Sequence, residues 1–432
     1  MGCGASRLPP EAPRAGLRGG PVAESVVDEA PAAPAESAAS RDPPTLEGAF
    51  KVVVYSAREY DVRSFNASLA AAQAAEAGSG GSDAAAKVEW EFVEAALSPQ
   101  TARLAAEAHA VCVFVNDDVG ADTVRALRRL TGVRLVLLRC AGFNNVDLAE
   151  AGASGLRVAR VPEYSPYSVA EHAVALCMTL NRKVHKAYAR NRDGNFSLTG
   201  LSGFDMHGKT VGVLGTGKIG VCAARIFLGF GCEVLAYNRS ENKELVGLGV
   251  KYVPLDELCA RSDVISMHAP LVPATYHIID GDKIALMKRG VMVINTSRGG
   301  LLDTKAAIAG LKSGVIGSLG LDVYEEEAGL FFTDHSGEVI EDDVFQQLVN
   351  YPNVIVTGHQ AFLTADALAN IADHTLGNVR AFFAGGEMAN EVKADPETLA
   401  RAQQSKVKRQ WGVLKHTASV RRVFYDPEDS EM

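Results

Sequence analysis

The chain has 432 residues, of which 47% are hydrophobic and 22% charged, enough to bury a large core in two or three domains. Its formal net charge of −9 argues against a nucleic-acid-binding protein, because affinity for phosphate backbones comes mainly from clustered Lys and Arg. No uninterrupted apolar run approaches the ~20 residues that span a bilayer, so a membrane-spanning protein is not expected.

The first part of the chain changes from low complexity to a strand and helix pattern. Residues 1–48 are rich in Ala and Pro and poor in aromatic residues, which predicts a disordered leader. Structure is predicted to begin at Phe50 to Ser56, an apolar run typical of a buried parallel strand. A Gly/Ala/Ser-rich stretch at residues 77–86 is predicted to be a surface loop. Strand-like runs at 110–115 and 134–139 alternate with helical stretches and predict an α/β domain.

The second part begins with one long amphipathic helix, predicted from Ser168 to about Arg192. The stretch KTVGVLGTGKIG, residues 209–220, then opens a new series of strands. The strand-like runs that follow are CEVLAY, DVISMHAP, GVMVINTS, GSLGLDVY and NVIVTGHQ. Each is separated by roughly a helix's worth of residues, as a doubly wound sheet requires. A helix is predicted from Gln360 to about Gly385, and the tail is expected to be a solvated extension.

A phosphate-binding loop is predicted where the second series of strands begins. Gly215, Gly217 and Gly220 form G-x-G-x-x-G directly after an apolar strand and before a helix. The glycines permit the tight turn, the approach of a pyrophosphate to the backbone, and close packing of helix on strand. The next strand ends at Asn238, where a dinucleotide site normally has an aspartate or glutamate for a ribose hydroxyl. This context predicts a dinucleotide cofactor.

Three later strand ends carry chemically useful side chains. Arg298 follows the strand that ends at Asn295, Glu327 follows LDVY, and His359 follows NVIVTG. Ligands of open α/β sheets bind beyond the carboxyl ends of the strands, so these side chains can converge on one crevice. Each residue alone is more often structural. Their joint occurrence beside a dinucleotide loop favours a catalytic site without a metal ion.

Longer stretches extend this pattern from about residue 50 to about residue 393. They are VYSAREYD, CVFVNDD, LRCAGFNNVDL, AEHAVALCMTLNR, NFSLTGL, GTGKIG, NTSRGG, LDVYEEE and TGHQAFLT. Together they resemble the D-isomer-specific 2-hydroxyacid dehydrogenases, and within them the fermentative D-lactate dehydrogenases. RCAGFNNVD and TGHQAFLT are specific to the lactate branch, whereas the phosphate loop is shared far more widely.

The resemblance implies roles for the three strand-end residues. Arg298 would bind the carboxylate of a 2-oxo acid and orient its carbonyl, a task suited to a planar bidentate guanidinium. His359 would protonate the carbonyl oxygen as hydride arrives from the nicotinamide. Glu327 would lie beside that imidazole and favour its charged form near neutral pH.

The resemblance also implies binding residues around these three. Backbone N–H groups of Ala141 and Gly142 would contact the substrate carboxylate, with Tyr164 at the pocket edge. Phe362 would wall a small apolar pocket. The cofactor-binding residues would be Gly215, Gly217, Lys218, Ile219 and Gly220 at the pyrophosphate, Asn238, Arg239 and Ser240 at the ribose, Ala269 and Pro270 on the adenosine side, and Thr296, Ser297 and Asp322 at the nicotinamide, together with Thr275.

The implied fold is α/β, with two doubly wound, Rossmann-like domains that have parallel sheets. The substrate domain would be formed by both chain ends, residues 49–162 and 360–394, and the dinucleotide-binding domain by residues 163–359. Residues 395–432 would be a C-terminal extension. The long helix after Ser168 would contribute to a homodimer or higher homo-oligomer.

The implied reaction is reversible hydride transfer between NAD(P)H and pyruvate, giving D-lactate. Two alternatives stay open. Another 2-oxo acid, hydroxypyruvate or glyoxylate, could be the substrate, because such enzymes share the catalytic three. Corepressor-type relatives keep the same fold as an NAD-dependent binding scaffold, which is a different class of function.

The choice between NAD(H) and NADP(H) depends on the segment after Tyr237. A carboxylate at position 238 would bind ribose hydroxyls and repel a 2′-phosphate, and Asn238 removes that repulsion. Arg239 and Ser240 supply a charge and a donor suited to phosphate. We therefore expect use of NAD(H) and also of NADP(H). If Arg239 is only a solvated surface residue, NADPH would merely be tolerated.

Cysteine content and the N-terminus bear on localisation. The seven cysteines form no C-x-x-C pair and mostly lie in apolar runs, which predicts reduced, buried side chains in a cytoplasmic protein. The N-terminal MGCGAS fits the myristoylation pattern at Gly2, and Cys3 could accept a second acyl chain that gives stable anchoring. A membrane partner is expected only in that case. The alternative is a disordered or organelle-targeting leader.

Overall fold

The computed structural model describes residues 49–78 and 87–393 of the chain. The predictions for Gly2, Cys3 and the rest of the leader, for most of the Gly/Ala/Ser-rich stretch and for the C-terminal extension therefore concern residues outside the described ones. Within the described ranges, no helix is both long and apolar enough to cross a membrane.

Strands and helices alternate along the described chain, as the apolar pattern predicts. The strands are β1 (Ala49–Val54), β2 (Lys87–Phe92), β3 (Ala110–Val113), β4 (Leu135–Leu138), β5 (Arg157–Arg160), β6 (Thr210–Leu214), β7 (Glu233–Tyr237), β8 (Lys251–Tyr252), β9 (Val264–Met267), β10 (Val291–Asn295), β11 (Ile316–Leu321) and β12 (Val354–Val356). The α-helices are α1 (Glu59–Gly78), α2 (Ala121–Leu130), α3 (Leu148–Ala153), α4 (Pro166–Arg182), α5 (Val184–Arg192), α6 (Lys218–Gly229), α7 (Lys243–Gly247), α8 (Leu255–Arg261), α9 (Gly281–Leu286), α10 (Thr304–Ser313), α11 (Asp343–Asn350) and α12 (Ala365–Phe383).

The first sheet has five parallel strands in the order β2-β1-β3-β4-β5. Its central strands β3 and β4 consist of Ala, Val, Cys and Leu, and all of these residues are buried. A strand covered on both faces has no solvent side, which explains continuous apolar runs instead of alternation. Helix α12 packs against α1 and adds its apolar face to the core on one side of this sheet. Both ends of the described chain therefore build this half.

The second sheet comes from the middle of the chain and has seven parallel strands in the order β12-β11-β10-β9-β6-β7-β8. Alternate residues of its strands enter two different cores: Val291 and Val293 face one, and Met292 and Ile294 face the other. The strand order reverses between β6 and β9, where open α/β sheets bind ligands. The predicted fold class is confirmed. The predicted domain boundaries at residues 162/163 and 359/360 stay predictions.

The strands that the apolar pattern missed are β2, β5 and β8. Each lies at an edge of its sheet. β2 alternates apolar residues with Lys and Glu, β5 begins and ends with Arg, and β8 has only two residues. Edge strands commonly carry charges that discourage pairing with other chains, so they lack the continuous apolar run of a central strand.

The predicted single helix from Ser168 to Arg192 is wrong, because α4 and α5 are separate helices. Lys183 between them has φ 52 and ψ 36, a left-handed conformation that ends α4. Helix α4 buries one face in the core of the second sheet, whereas α5 has no buried residue. Packing therefore supports the helix only as far as α4, and the chain turns where the core ends.

The cysteine prediction is confirmed for the residues that the structure describes. Cys112, Cys140, Cys177, Cys222, Cys232 and Cys259 are all unpaired and buried. Burial raises the pKa of the Cys140 thiol to about 11, although Arg298 nearby opposes this shift. This thiol therefore stays protonated at neutral pH and behaves as a small apolar side chain.

A buried arginine joins the ends of the central strands of the first sheet. Arg139 follows β4, and its side chain is only 2% exposed. It donates to Asp61 Oδ1 at 3.2 Å and to the carbonyl oxygens of Tyr55 and Ser56 at 2.8 Å each. Its guanidinium carbon also lies 4.8 Å from the ring centroid of Phe114. The segment after β1 and the aromatic ring after β3 are therefore held together at one edge of the sheet.

Candidate active site

The loop between β6 and α6 has the close approaches that its glycines were predicted to permit. Gly215 has φ 93, and a Cβ there would lie 2.7 Å from the backbone nitrogen of Ala269. A Cβ on Gly220 would collide with the carbonyl oxygen of Gly215, so α6 can begin tightly against β6 only with glycine. Around Gly217, by contrast, no atom lies within 4 Å of a Cβ position. Helix N-terminal N–H groups beside such open space suit a pyrophosphate.

The predicted ribose segment lies at the carboxyl end of β7 and is exposed. Asn238 donates from Nδ2 to the carbonyl oxygen of Ser240 at 2.9 Å, which closes a tight turn. The hydroxyl of Tyr252 accepts from the Asn242 nitrogen and donates to Thr216 Oγ1, each at 2.9 Å. The tyrosine thereby connects the ribose segment to the phosphate loop. No carboxylate stands at position 238, and the exposed side chain of Arg239 follows it.

A pocket opens where the carboxyl ends of the strands of the two sheets face each other. Most of its lining residues were predicted from the sequence, but Val169, His268 and Ala361 were not. The lining residues are Tyr164, Val169, Ile219, His268, Thr296, Ser297, Arg298, Asp322, His359, Ala361 and Phe362. The structure therefore brings predicted substrate and nicotinamide residues from both halves into one place.

Two buried polar atoms on the pocket lining have no hydrogen-bond partner among the described residues. They are Nδ1 of His268 and Oγ1 of Thr296. The other ring nitrogen of His268 lies 2.8 Å from Ser266 Oγ. Burial lowers the pKa of His268 to about 4, so its ring is neutral at physiological pH. Buried polar atoms rarely stay unpaired in native proteins, so this wall suits a ligand with its own donors and acceptors.

Arg298 reaches from the second sheet toward the first. Asn295 at the end of β10 holds the Arg298 carbonyl oxygen through Nδ2 at 2.9 Å. The guanidinium donates to the Ser297 carbonyl oxygen at 2.7 Å. A Cβ on Gly142 would lie 2.9 Å from Arg298 Nη2, so a larger residue there would displace the end of the arginine side chain. The guanidinium therefore lies on the pocket lining and against the backbone of Gly142.

His359 and Glu327 form a hydrogen-bonded pair at the same pocket. Nδ1 of His359 lies 3.0 Å from Glu327 Oε1, and the side chains are 16% and 20% exposed. The second oxygen of Glu327 accepts from the Tyr324 nitrogen at 3.2 Å. Because Nδ1 is occupied by the carboxylate, Nε2 is the ring nitrogen that can exchange a proton with a molecule in the pocket.

Asp322 was predicted at the nicotinamide end. In the structure its carboxylate also bonds the turn that follows β12. The carboxylate is fully buried and accepts from Thr357 Oγ1 at 2.5 Å. It also accepts from the backbone nitrogens of Gln360 at 2.9 Å and Ala361 at 2.8 Å. His359 lies within this turn and has a left-handed φ of 54. Asp322 therefore lines the pocket and also holds the backbone that carries His359.

Aromatic side chains form the apolar end of the pocket. The ring centroid of Phe362 lies 6.3 Å from that of Tyr164 and 5.7 Å from that of Phe114. Phe114 follows β3 and was not singled out in the sequence, because nothing in an apolar strand distinguishes one aromatic residue from another. The predicted wall residue Phe362 is therefore part of a larger aromatic surface.

The remaining predicted cofactor residues lie outside the pocket lining. Ala269 accepts from Ser297 Oγ at 2.7 Å through its carbonyl oxygen. Pro270 and Thr275 are joined by a 2.6 Å hydrogen bond within the loop after β9. Lys218, at the start of α6, forms an ion pair with Glu163 from the segment before α4.

Comparison with known proteins agrees with this geometry. Residues 174–361 match the family described as D-isomer specific 2-hydroxyacid dehydrogenase, NAD binding domain. A 2-hydroxyacid dehydrogenase homolog of Haemophilus influenzae is 53% identical over 70% of this chain and 91% of its own length. The D-lactate dehydrogenase of Escherichia coli is 52% identical over 70% of this chain and 92% of its own length.

A solved structure gives the same assignment. The pyruvate reductase of Chlamydomonas reinhardtii superposes with a TM-score of 0.73 and 43% sequence identity, covering 79% of this chain and 99% of that one. Identity at this level over nearly the whole length of several relatives defines a family and not only a shared fold. The chain therefore belongs to the D-isomer-specific 2-hydroxyacid dehydrogenase family, as an NAD-dependent oxidoreductase of its D-lactate dehydrogenase branch.

Proposed function

We propose that the protein catalyses the reversible reduction of pyruvate to D-lactate, with NADH or NADPH as the hydride donor. The observation that carries the proposal is that Arg298 and the His359–Glu327 pair face one pocket between the two sheets. Relatives named D-lactate dehydrogenase and pyruvate reductase support pyruvate as the 2-oxo acid.

Arg298 is the proposed carboxylate-binding residue. A guanidinium presents parallel N–H groups that match both oxygens of a carboxylate, which fixes the orientation of the acid as well as binding it. The backbone N–H groups of Ala141 and Gly142 would add contacts from the other half, because Gly142 lies against Nη2. The substrate carboxylate would thus be held from both sides of the pocket.

His359 is the proposed general acid for reduction and general base for oxidation. Its Nε2 would donate a proton to the carbonyl oxygen of pyruvate, and Glu327 at Nδ1 would stabilise the positive ring that has this proton to give. The bound nicotinamide supplies the hydride. In the reverse direction the neutral imidazole would take the hydroxyl proton of D-lactate.

The residues at the nicotinamide end fit such a cofactor. Nδ1 of His268 and Oγ1 of Thr296, which have no hydrogen-bond partner among the described residues, would bind polar groups of a nicotinamide. The open space at Gly217 and the start of α6 would hold the pyrophosphate. Both features lie at the switch point of the second sheet.

The aromatic end of the pocket favours pyruvate over hydroxypyruvate and glyoxylate. Phe362 on the pocket lining offers no hydrogen-bond partner, so a hydroxymethyl group that faced its ring would lose its hydration without compensation. Glyoxylate has no group to fill the same space. The methyl group of pyruvate suits the wall better.

The alternative function as an NAD-dependent binding scaffold gains no support from the structure. Arg298, Glu327 and His359 lie together, and the chain is an enzyme of the family.

We propose that both NADH and NADPH are used. Asn238 cannot repel a 2′-phosphate, and the adjoining Arg239 and Ser240 are exposed and could contact one. The turn that the Asn238–Ser240 bond closes presents both residues on the same short segment. NADH would still bind through the pyrophosphate and nicotinamide contacts.

We also infer a homodimer that forms through the segment of α5 and the loop behind it. This segment exposes Tyr188 at 63%, Phe196 at 73% and Leu198 at 81%. The loop is nevertheless well structured, because Arg190 donates to the carbonyl oxygens of Ser197 and Thr199 at 2.7 and 3.0 Å. An ordered loop with a cluster of exposed large apolar side chains is typical of a contact surface, and a second copy of the chain is the proposed occupant.

Substitution of the catalytic residues tests the proposed function. Arg298→Lys should raise KM for pyruvate steeply as well as lower kcat, because lysine lacks the bidentate fork. His359→Ala should mainly lower kcat, by roughly 10²- to 10⁴-fold, the usual worth of a positioned acid. Steady-state kinetics with pyruvate and NADH measures both. His374→Ala, an exposed histidine on α12, is the matched control and should stay within about twofold of wild type. Near-normal turnover by His359→Ala would exclude its role as proton donor.

Cofactor choice is tested at position 238. Wild type should accept NADPH within roughly tenfold of NADH in kcat/KM, a gap of about 1.4 kcal/mol. Asn238→Asp should restore preference for NADH by reinstating the negative charge, and Arg239→Ala should weaken NADPH selectively. Kinetics with each cofactor at saturating pyruvate measures the ratio. Discrimination of several hundredfold against NADPH by wild type would contradict the proposal.

Light scattering on a size-exclusion column tests the dimer. Wild type should elute with twice the 45.7 kDa mass of one chain, and the double substitution Phe196→Ser with Leu198→Ser should give the monomer. Val339→Ser is the matched control, because Val339 is 88% exposed but lies elsewhere. A monomeric wild type, or a double variant that stays dimeric, would refute the assignment of this surface.

A further inference from the structure

The segment between β11 and α11, residues 322–342, carries Glu327 and contacts both halves of the molecule. Two consecutive phenylalanines in it point in different directions. Phe331 is 7% exposed and packs in the core of the second sheet, where its ring centroid lies 6.0 Å from that of Phe345. Phe332 packs against that core and also against the core that α1, α12 and the first sheet share. Phe332 therefore bridges the two halves beside the pocket.

Phe332 has a backbone conformation that needs outside support. Its φ is 68, in the left-handed region that a large side chain rarely adopts. Its carbonyl oxygen accepts a hydrogen bond from Arg58 Nη2 at 2.9 Å. Arg58 lies in the segment after β1, and its own backbone nitrogen donates to the buried Asp61 at 2.9 Å. A side chain from the first half thus holds a strained residue of the second half.

The ring of Phe332 is in contact with the proposed acid. Its centroid lies 5.7 Å from that of the His359 imidazole, at an interplanar angle of 38°. On its other side it meets Phe114 edge to face, with centroids 5.0 Å apart. The imidazole is therefore flanked by Glu327, which bonds Nδ1, and by the tilted ring of Phe332.

We propose that Phe332 is a positioning residue for His359 and that Arg58 is the latch that keeps Phe332 in place. The inference rests on the proposed role of His359 as the proton donor. A hydrogen bond at Nδ1 still allows the ring to tilt about that bond, and a packed aromatic neighbour removes this freedom. Because small displacements of a reacting group cost much of its rate, fixing the ring matters for kcat more than for binding. Arg58 acts only through Phe332, since it bonds the backbone of that residue.

A double-mutant cycle tests both parts of the proposal. Phe332→Ala should lower kcat for pyruvate about tenfold and leave the dissociation constant of NADH unchanged in a fluorescence titration. Arg58→Ala should lower kcat about threefold. The double variant should be no slower than Phe332→Ala, because a bond to the backbone of residue 332 cannot position the imidazole once the ring is gone. Phe332→Tyr should keep nearly full activity. Arg63→Ala is the matched control, because Arg63 pairs with Glu59 on the exposed surface of α1.

A kcat of Phe332→Ala within twofold of wild type would overturn the positioning role. A loss of NADH affinity as large as the loss of kcat would also overturn it. If the losses of kcat in the two single variants multiply in the double variant, the role of Arg58 as the latch for Phe332 is refuted. Amide hydrogen exchange gives a readout that does not depend on activity. Arg58→Ala should speed exchange in residues 322–342 and leave exchange in the central strands unchanged. Unchanged exchange in residues 322–342 would also refute the role of Arg58 as the latch. Failure of wild type to reduce pyruvate would refute the proposed function instead, and the cycle would then be measured with the 2-oxo acid that is turned over.

Discussion

The buried carboxylate of Asp322 is the interaction on which the geometry of the site depends. It accepts from the backbone of Gln360 and Ala361 and from the hydroxyl of Thr357, and His172 Nε2 from α4 lies 3.3 Å away. A buried carboxyl group without such partners would be strongly destabilising, so the burial of Asp322 depends on these bonds. One side chain at the end of β11 thereby fixes the turn after β12 against the neighbouring helix.

The turn matters because His359 has a left-handed backbone. Such a conformation is unfavourable for a residue with a Cβ and persists only where the surroundings determine it. Asp322 supplies this support from within the second sheet, and Glu327 bonds the imidazole. The ring of Phe332 lies beside the imidazole, and its carbonyl oxygen accepts a hydrogen bond from Arg58 of the first half. The position of the proposed acid is thus set by the packing of both halves, and a change in their separation would alter it.

Much of the fold could be predicted because buried parallel strands are continuous apolar runs. β3 and β4 carry no polar residue and were predicted within two residues of their ends. The charged edge strands β2, β5 and β8 have no such run, and the break at Lys183 depends on where the core ends and not on the local sequence. Short-range patterns contain neither kind of information.

The site could be predicted to a similar extent and for a related reason. Arg298 and His359 follow strand ends, and parallel strands direct their carboxyl ends to one edge, so their convergence follows from topology. The contacts of Asp322, the burial of His268 on the pocket lining and the support of the left-handed Phe332 depend on residues far apart in the chain. His268 did carry a signal, since it directly follows β9. A strand-end histidine beside a predicted cofactor residue is a candidate in its own right.

The handedness of the product tests the central claim most directly. Arg298 would hold the carboxylate and His359 the carbonyl oxygen, and a cofactor bound on one side would let hydride reach only one face of the substrate. Pyruvate and NADH incubated with the purified full-length protein should yield lactate that chiral chromatography identifies as the D-isomer. L-lactate, a racemic mixture, or no turnover of pyruvate at all would contradict the account.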